Sequence, residues 1–263
     1  MAKRRISSKE RERINNILAR LDEYYTKEVR CYLNHDNAWQ LLIATILSAQ
    51  CTDDRVNIVT KDLFAKYKTI EELADADIEE LKECIHSVGF YTTKARNIKA
   101  CAARIVSEYG GEVPESIEEL TSLAGVGRKT ANVIRGNIYG EPSIVVDTHV
   151  KRISGKLGLT KETDPEKIEY ELMEVLPKEH WIRYNMQIIT HGRTICTARN
   201  PKCSECFLGD LCKCGEKSIF SLKVSSSKSP SVSISSFALS AKSAASLSLL
   251  RSLYFEELRR LII

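Results

Sequence analysis

Apolar residues recur at three- and four-residue intervals in short stretches along most of this chain, and hardly any stretch alternates. That period paints one face of an α-helix and leaves no basis for a sheet. The segments "AWQLLIATILSAQ" (38–50), "DRVNIVTKDLFAKY" (54–67), "KARNIKACAARIVSEYG" (94–110) and "DPEKIEYELMEVL" (164–176) all carry it. Helix ends are marked too: "SIEE" at Ser116 to Glu119 has capping-box spacing, and Gly110-Gly111 stops the helix before it. The expected fold class is all-α, with roughly ten helices. At 263 residues and 43% hydrophobic content, the chain can build one large core or two smaller ones. No run reaches the ~18 apolar residues of a membrane span, and "MAKRRISSKERERI" has no apolar signal core. The expectation is a cytoplasmic protein with no membrane partner.

The net charge of +4 is informative only once divided. Seven basic and three acidic residues lie beyond Gly215, so the tail carries the whole excess and residues 1–215 are neutral. Any argument for an anionic partner must therefore rest on local clusters.

Nine cysteines are distributed just as unevenly. Cys31, Cys51, Cys84 and Cys101 sit in helical patterns, where a small buried hydrophobe is the expected role. Cys196, Cys203, Cys206 and Cys212 instead follow the spacing C-x6-C-x2-C-x5-C, with Cys214 two residues on as a competing ligand. The segment is too polar to bury them all as free thiols. Four thiolates this close enclose either zinc or an iron–sulfur cluster, and the spacing alone does not choose.

The stretch "LAGVGRKTANVI" (123–134) places two glycines before a helical pattern that opens with Arg128 and Lys129. A Gly-x-Gly turn at a helix start exposes backbone N–H groups with no side chain in the way, and the helix dipole favours an anion there. Cations in that first turn are disfavoured unless an anion is present. A phosphate is the expected guest; a plain helix–helix turn with solvated basic residues is the alternative. An echo precedes it: "TIEEL" (69–73) leads through Leu81 and Ile85 to "GFYTTKARNI" (89–98) as "SIEEL" (116–120) leads to "GVGRKTANVI" (125–134). The first copy has Phe90 and Tyr91 where the second has Val126 and Gly127, so only the second permits very close backbone approach.

"LAGVGRKTA" and "VDTHV", with 18 residues from Lys129 to Asp147, together with the four-cysteine spacing, "LLIATILSAQCTD" and "HGRTIC", resemble the endonuclease III family of helix-hairpin-helix DNA glycosylases over about residues 12–215. Ala124 departs from the family, which usually has proline there; a slightly looser hairpin with unchanged chemistry is expected. The resemblance implies a six-helix barrel over 31–141, its hairpin at 116–139, and a cluster domain from 1–30 and 142–215, with a DNA cleft between them. It implies that Cys196, Cys203, Cys206 and Cys212 hold a 4Fe-4S cluster with a structural and DNA-docking role, and that Arg199 and Lys202 meet the phosphate backbone.

The resemblance further implies a monomer acting on double-stranded DNA with a damaged base or abasic site. It would remove oxidised pyrimidines and cut the strand by β-elimination in base excision repair. Lys129 would attack C1′ as a neutral amine, expel the base and hold the sugar as a Schiff base. With an ordinary pKa near 10.4 the lysine needs help to lose its proton, which a desolvated cleft with basic neighbours would give. Asp147, by its position before "THVKRI", is a helix N-cap; by resemblance it also stabilises charge on the sugar and assists proton movement, and the two roles are compatible. Gln50 would fill the gap opposite the orphaned base and Phe90 would be a wedge, or else a core aromatic; Gly125, Val126, Gly127 and Arg128 would cradle phosphate. His149 receives no catalytic role, and Lys94 is the next amine to consider should Lys129 not be the nucleophile.

Two alternatives stand at this point. Adenine-removing relatives share cluster and hairpin, but typically lack the lysine and carry a further C-terminal domain. A noncatalytic helix-hairpin-helix DNA binder would need neither Lys129 nor Asp147. Residues 216–263 lie outside the resemblance; their serine-rich composition points to disorder, with a short amphipathic helix possible in "LSLLRSLYFEELRRLII".

Overall fold

The computed structural model describes residues 6–25 and 31–214, and the tail expectations fall outside them. The described residues contain eleven α-helices and no strand: α1 (Ser8–Tyr24), α2 (Ala38–Leu47), α3 (Asp53–Lys66), α4 (Ile70–Asp75), α5 (Ile78–Ile85), α6 (Tyr91–Tyr109), α7 (Ile117–Ser122), α8 (Arg128–Asn137), α9 (Thr148–Leu157), α10 (Pro165–Val175) and α11 (Trp181–Thr194). The fold class is all-α, as the periodicity requires.

Local chemistry explains most boundaries. Ser7, Asn37, Thr52, Thr69, Asp77, Ser116, Asp147 and Asp164 each cap the helix that follows by accepting a backbone N–H on the side chain. At Ser116 the hydroxyl accepts from the Glu119 N–H and donates to the Glu119 carboxylate (3.1 and 2.7 Å), so the box closes side chain to side chain. Gly110 ends α6 in the left-handed conformation (φ +61°).

Two hydrophobic cores result. The first is contiguous in sequence, running from Leu33 to Ile134 and built by α2 to α8. At its centre α2 has every residue from Trp39 to Leu47 buried, which a helix tolerates only when other helices surround it. The second core joins Ile14, Ile17, Leu18 and Leu21 of α1 to apolar residues between Ile144 and Leu208, chiefly from α9, α10 and α11. The sequence echo needs one revision. The helix leading into the first turn is α5, beginning "IEEL" at Ile78, and not the "TIEEL" at 69–73, which forms the separate helix α4. Of the four scattered cysteines only Cys101 is fully buried; Cys31, Cys51 and Cys84 are half-buried at the margin of the first core.

Candidate active site

The second hairpin is α7, a turn over 123–127, and α8. Gly125 and Gly127 differ in why they are glycines. Gly125 has φ +78°, and a Cβ there would meet Asn97 at 3.0 Å and Ile46 at 3.2 Å, so the protein's own packing demands it. Gly127, the N-cap of α8, has ordinary extended backbone (φ −98°, ψ 175°), and a Cβ would meet nothing within 4 Å. Nothing inside the protein requires glycine at 127; an external group approaching the N–H end of α8 would. Val126 between them is buried and anchors the turn in the first core.

Arg128 does not present its guanidinium as a free phosphate contact. Its Nε and Nη2 donate to both carboxylate oxygens of Glu169 on α10 (2.9 and 2.8 Å), with the guanidinium 5.2 Å from the centre of the Tyr170 ring. The anion that a cation in the first turn of α8 calls for is thus supplied from within, by a carboxylate that is 5% exposed. The hydrogen bond that Arg128 donates to Glu169 holds the Arg128 pKa above its ordinary value. No single-sequence signal links positions 128 and 169.

Lys129 is exposed and has no ion-pair partner among the described residues. The dry surroundings expected for it are not supplied by the protein alone. Asp147 caps α9, its Oδ1 accepting from the Val150 N–H at 2.7 Å, which fixes the carboxylate in one orientation. Lys129 and Asp147, one from each side of the 138–146 connection, line the same cavity of about 140 Å³. That is well below the ~300–1,000 Å³ of pockets for drug-sized ligands and suits a single ring. Asn132, Asn185 and Ser143 give it polar groups; Val133, Ile182 and Ile189 give it apolar wall. Asp53 and Arg193, also in its lining, form an ion pair at 2.5 Å, and the Arg193 guanidinium lies over the Tyr32 ring.

His149 sits beside this region in a structural setting. Its Nδ1 lies 3.3 Å from Arg152 Nη2, and a Cβ at position 192 would collide with its ring, so Gly192 is what admits it. Burial lowers its pKa, partly opposed by the Asp147 charge.

Gln50 and Phe90, the gap-filler and wedge expected from resemblance, are the only non-glycine residues at positive φ among those described (54° and 58°). Such backbone is costly for side-chain-bearing residues and persists only where the surroundings enforce it. Phe90 is 68% exposed, which excludes the core-aromatic reading. Lys94 is 5% exposed and donates to the carbonyls of Leu47 and Ala49 at 2.8 and 2.7 Å, so its amine is committed elsewhere than the cavity.

Among the described residues, no three His, Cys, Asp or Glu side chains are set to grip a single metal ion. The four cysteines nevertheless share one electrostatic neighbourhood. Burial raises the Cys206 thiol pKa, and the charges of Cys196, Cys212 and Cys203 raise it further. Burial raises that of Cys196 as well, against Lys156 and Arg152, which favour its thiolate. Arg152 donates to the Cys196 carbonyl and lies 3.7 Å from its sulfur, while His191 Nε2 lies 3.6 Å from Cys206 Sγ. Four sulfur donors whose negative charges would repel one another fit a cationic group among them. Cys214 is exposed. Arg199 and Lys202, in the loop between Cys196 and Cys203, are exposed.

Residues 43–178 match the model of the HhH-GPD superfamily of base excision DNA repair proteins, and residues 196–212 match the iron–sulfur binding domain of endonuclease III. The endonuclease III of Synechocystis sp. is 48% identical over 216 residues, covering 82% of this chain and 98% of the relative. The chain belongs to the endonuclease III family. The Bacillus subtilis endonuclease III is 47% identical, over 71% of this chain and 86% of its own. An endonuclease III trapped as a covalent intermediate with DNA superposes with a TM-score of 0.75 at 42% identity, over 80% of this chain and 98% of that one. Membership makes this chain a base excision repair DNA glycosylase and AP lyase, and decides for an iron–sulfur cluster over zinc. No described helix is long and apolar enough to cross a membrane.

Proposed function

We propose that this endonuclease III family member acts as a monomer on double-stranded DNA, removes oxidised pyrimidines and cleaves the strand through Lys129. The observation that carries the reading is the shared cavity: an amine and a fixed carboxylate from separate helix N-termini face one space sized for a single ring. The flipped nucleotide places its base in that space, because chemistry at C1′ is out of reach inside the stack. The Lys129 amine attacks C1′ and the glycosidic electron pair leaves with the base; the nitrogen then gives up a proton, the C1′–O4′ bond breaks with a proton passing to O4′, and the opened sugar is held as an imine. Asp147 stabilises positive charge on the sugar and moves the proton. Lys129 is exposed until DNA covers it, so docking supplies the dry surroundings in which a neutral amine is favoured.

Phosphate approaches the N–H groups behind Gly127, while Gln50 and Phe90 enter the duplex. Arg199 and Lys202 steer the backbone from the cysteine loop. Cys196, Cys203, Cys206 and Cys212 hold the cluster, which supplies structure and keeps that loop in place.

Borohydride added during turnover of DNA with an oxidised pyrimidine should leave protein covalently attached. Lys129→Gln should abolish trapping and strand cleavage while retaining binding. Asp147→Asn should bind and release base more slowly by orders of magnitude. Wild-type cleavage by Lys129→Gln would end this mechanism.

A further inference from the structure

Lys94 is a buried lysine that the chemistry above leaves unused. It lies on α6, one turn after Phe90, and its backbone N–H donates to the Phe90 carbonyl at 3.0 Å. Its ammonium reaches across to the end of α2. The carbonyls there account for themselves one by one: Ala44 accepts from the Ser48 N–H, Thr45 from the Ser48 hydroxyl, Ile46 from the Ala49 N–H, and Ser48 from the Cys51 N–H. Leu47 and Ala49 have Lys94 instead. Gln50 follows directly, in left-handed backbone, and a Cβ at Gly89 would sit 3.8 Å from the Gln50 carbonyl. One residue therefore holds the carbonyls on the approach to Gln50 with its side chain and that of Phe90 with its backbone.

We propose that Lys94 is a positioning residue that fixes Gln50 and Phe90 as one rigid probe, so that gap-filling and wedging occur together when a base is everted. The inference rests on the roles given to Gln50 and Phe90 above. Two strained residues from separate loops, 40 positions apart, need a common brace to enter one duplex in register. Lys94 supplies it with two charge-assisted hydrogen bonds shielded from water. Burial lowers the pKa of the amine, and the two carbonyls are the groups that hold its protons.

The test compares two substrates. One is a duplex with an oxidised pyrimidine opposite each of the four bases in turn; the other is an abasic site in single-stranded DNA, which needs no eversion. Lys94→Met should lower turnover of the duplex at least tenfold and erase its dependence on the opposing base, while cleavage of the single strand falls less than threefold. Lys94→Arg, which keeps two donors, should restore the opposing-base dependence in part. Equal losses on both substrates, or no loss, overturn the proposal.

A second measurement stands even if Lys94→Met does not fold. Lys94→Arg should cost less duplex turnover in a Gln50→Ala background than in the wild-type chain; additive or absent effects overturn the proposal. If Gln50→Ala itself changes nothing in the wild-type chain, the role of Gln50 fails first. If it matters and the Lys94 variants are additive with it, the brace alone fails.

Discussion

Single residues in this chain separate internal from external demands. Gly125 and Gly127 look equivalent in the sequence, yet only Gly125 combines left-handed backbone with crowding by Asn97 and Ile46. Gly125→Ala should therefore destabilise by ~1–2 kcal/mol or more in thermal unfolding. Gly127→Ala should unfold within ~0.5 kcal/mol of wild type and lose affinity for damaged and undamaged duplex alike, since phosphate contacts carry no sequence. Arg128 and Glu169 make a second contrast. Removing the arginine, as in Arg128→Met, strands a carboxylate that is 5% exposed and should cost about 3 kcal/mol. Glu169→Gln leaves a guanidinium that can turn to water, and should cost about 1 kcal/mol. Denaturant melts of the two variants check the order. Lys129 and Asp147 stand out in the sequence through the family resemblance alone; by its local pattern Asp147 reads as the N-cap that it is in the structure. The sequence conceals Glu169 and the task of Lys94, because a buried ion pair or cap joins positions that no periodicity relates.

At the scale of elements, helix existence was legible and helix grouping less so. Capping residues and apolar period locate α3 and α10 to within a residue or two of the sequence reading. They do not locate the start of α6, because Phe90 begins that helix without a side-chain cap and in left-handed backbone. The repeated "IEEL" does not mark the hairpin for a related reason: three helices open with it, at Ile70, Ile78 and Ile117, and only packing shows which precede a turn. The helix α2 carries the first core on all its faces. Leu42→Ala, at a fully buried position, should cost ~2–5 kcal/mol by unfolding and leave little hairpin to bind DNA.

Among the described residues there are two cores, and the cavity that Lys129 and Asp147 line takes its wall from α2 and α8 as well as from α11. Electrostatic contacts fasten α1 to the cysteine segment. Arg13 holds Glu10 and the carbonyls of Leu157 and Leu211, Lys213 also pairs with Glu10, and the Arg13 hydrogen bond chiefly holds the Glu10 pKa at about 2. A carboxylate with a depressed folded pKa stabilises above its ordinary value near 4.5 and loses that contribution as pH falls toward 2. Solvent screening at this surface keeps the effect below about 1 kcal/mol, readable as a smaller acid sensitivity of Glu10→Gln.

Building the second core from distant stretches also sets an order of events during synthesis. The first core is complete in sequence by Ile134, whereas the partners of Ile14, Ile17, Leu18 and Leu21 begin only at Ile144. At about 5–20 residues per second, the 123 residues from Leu21 to Ile144 take roughly 6–25 s to make. For that interval the apolar stripe of α1 has no permanent neighbour. The nascent chain is therefore a finished barrel trailing an unpaired amphipathic helix, the state in which a chaperone would have most to hold.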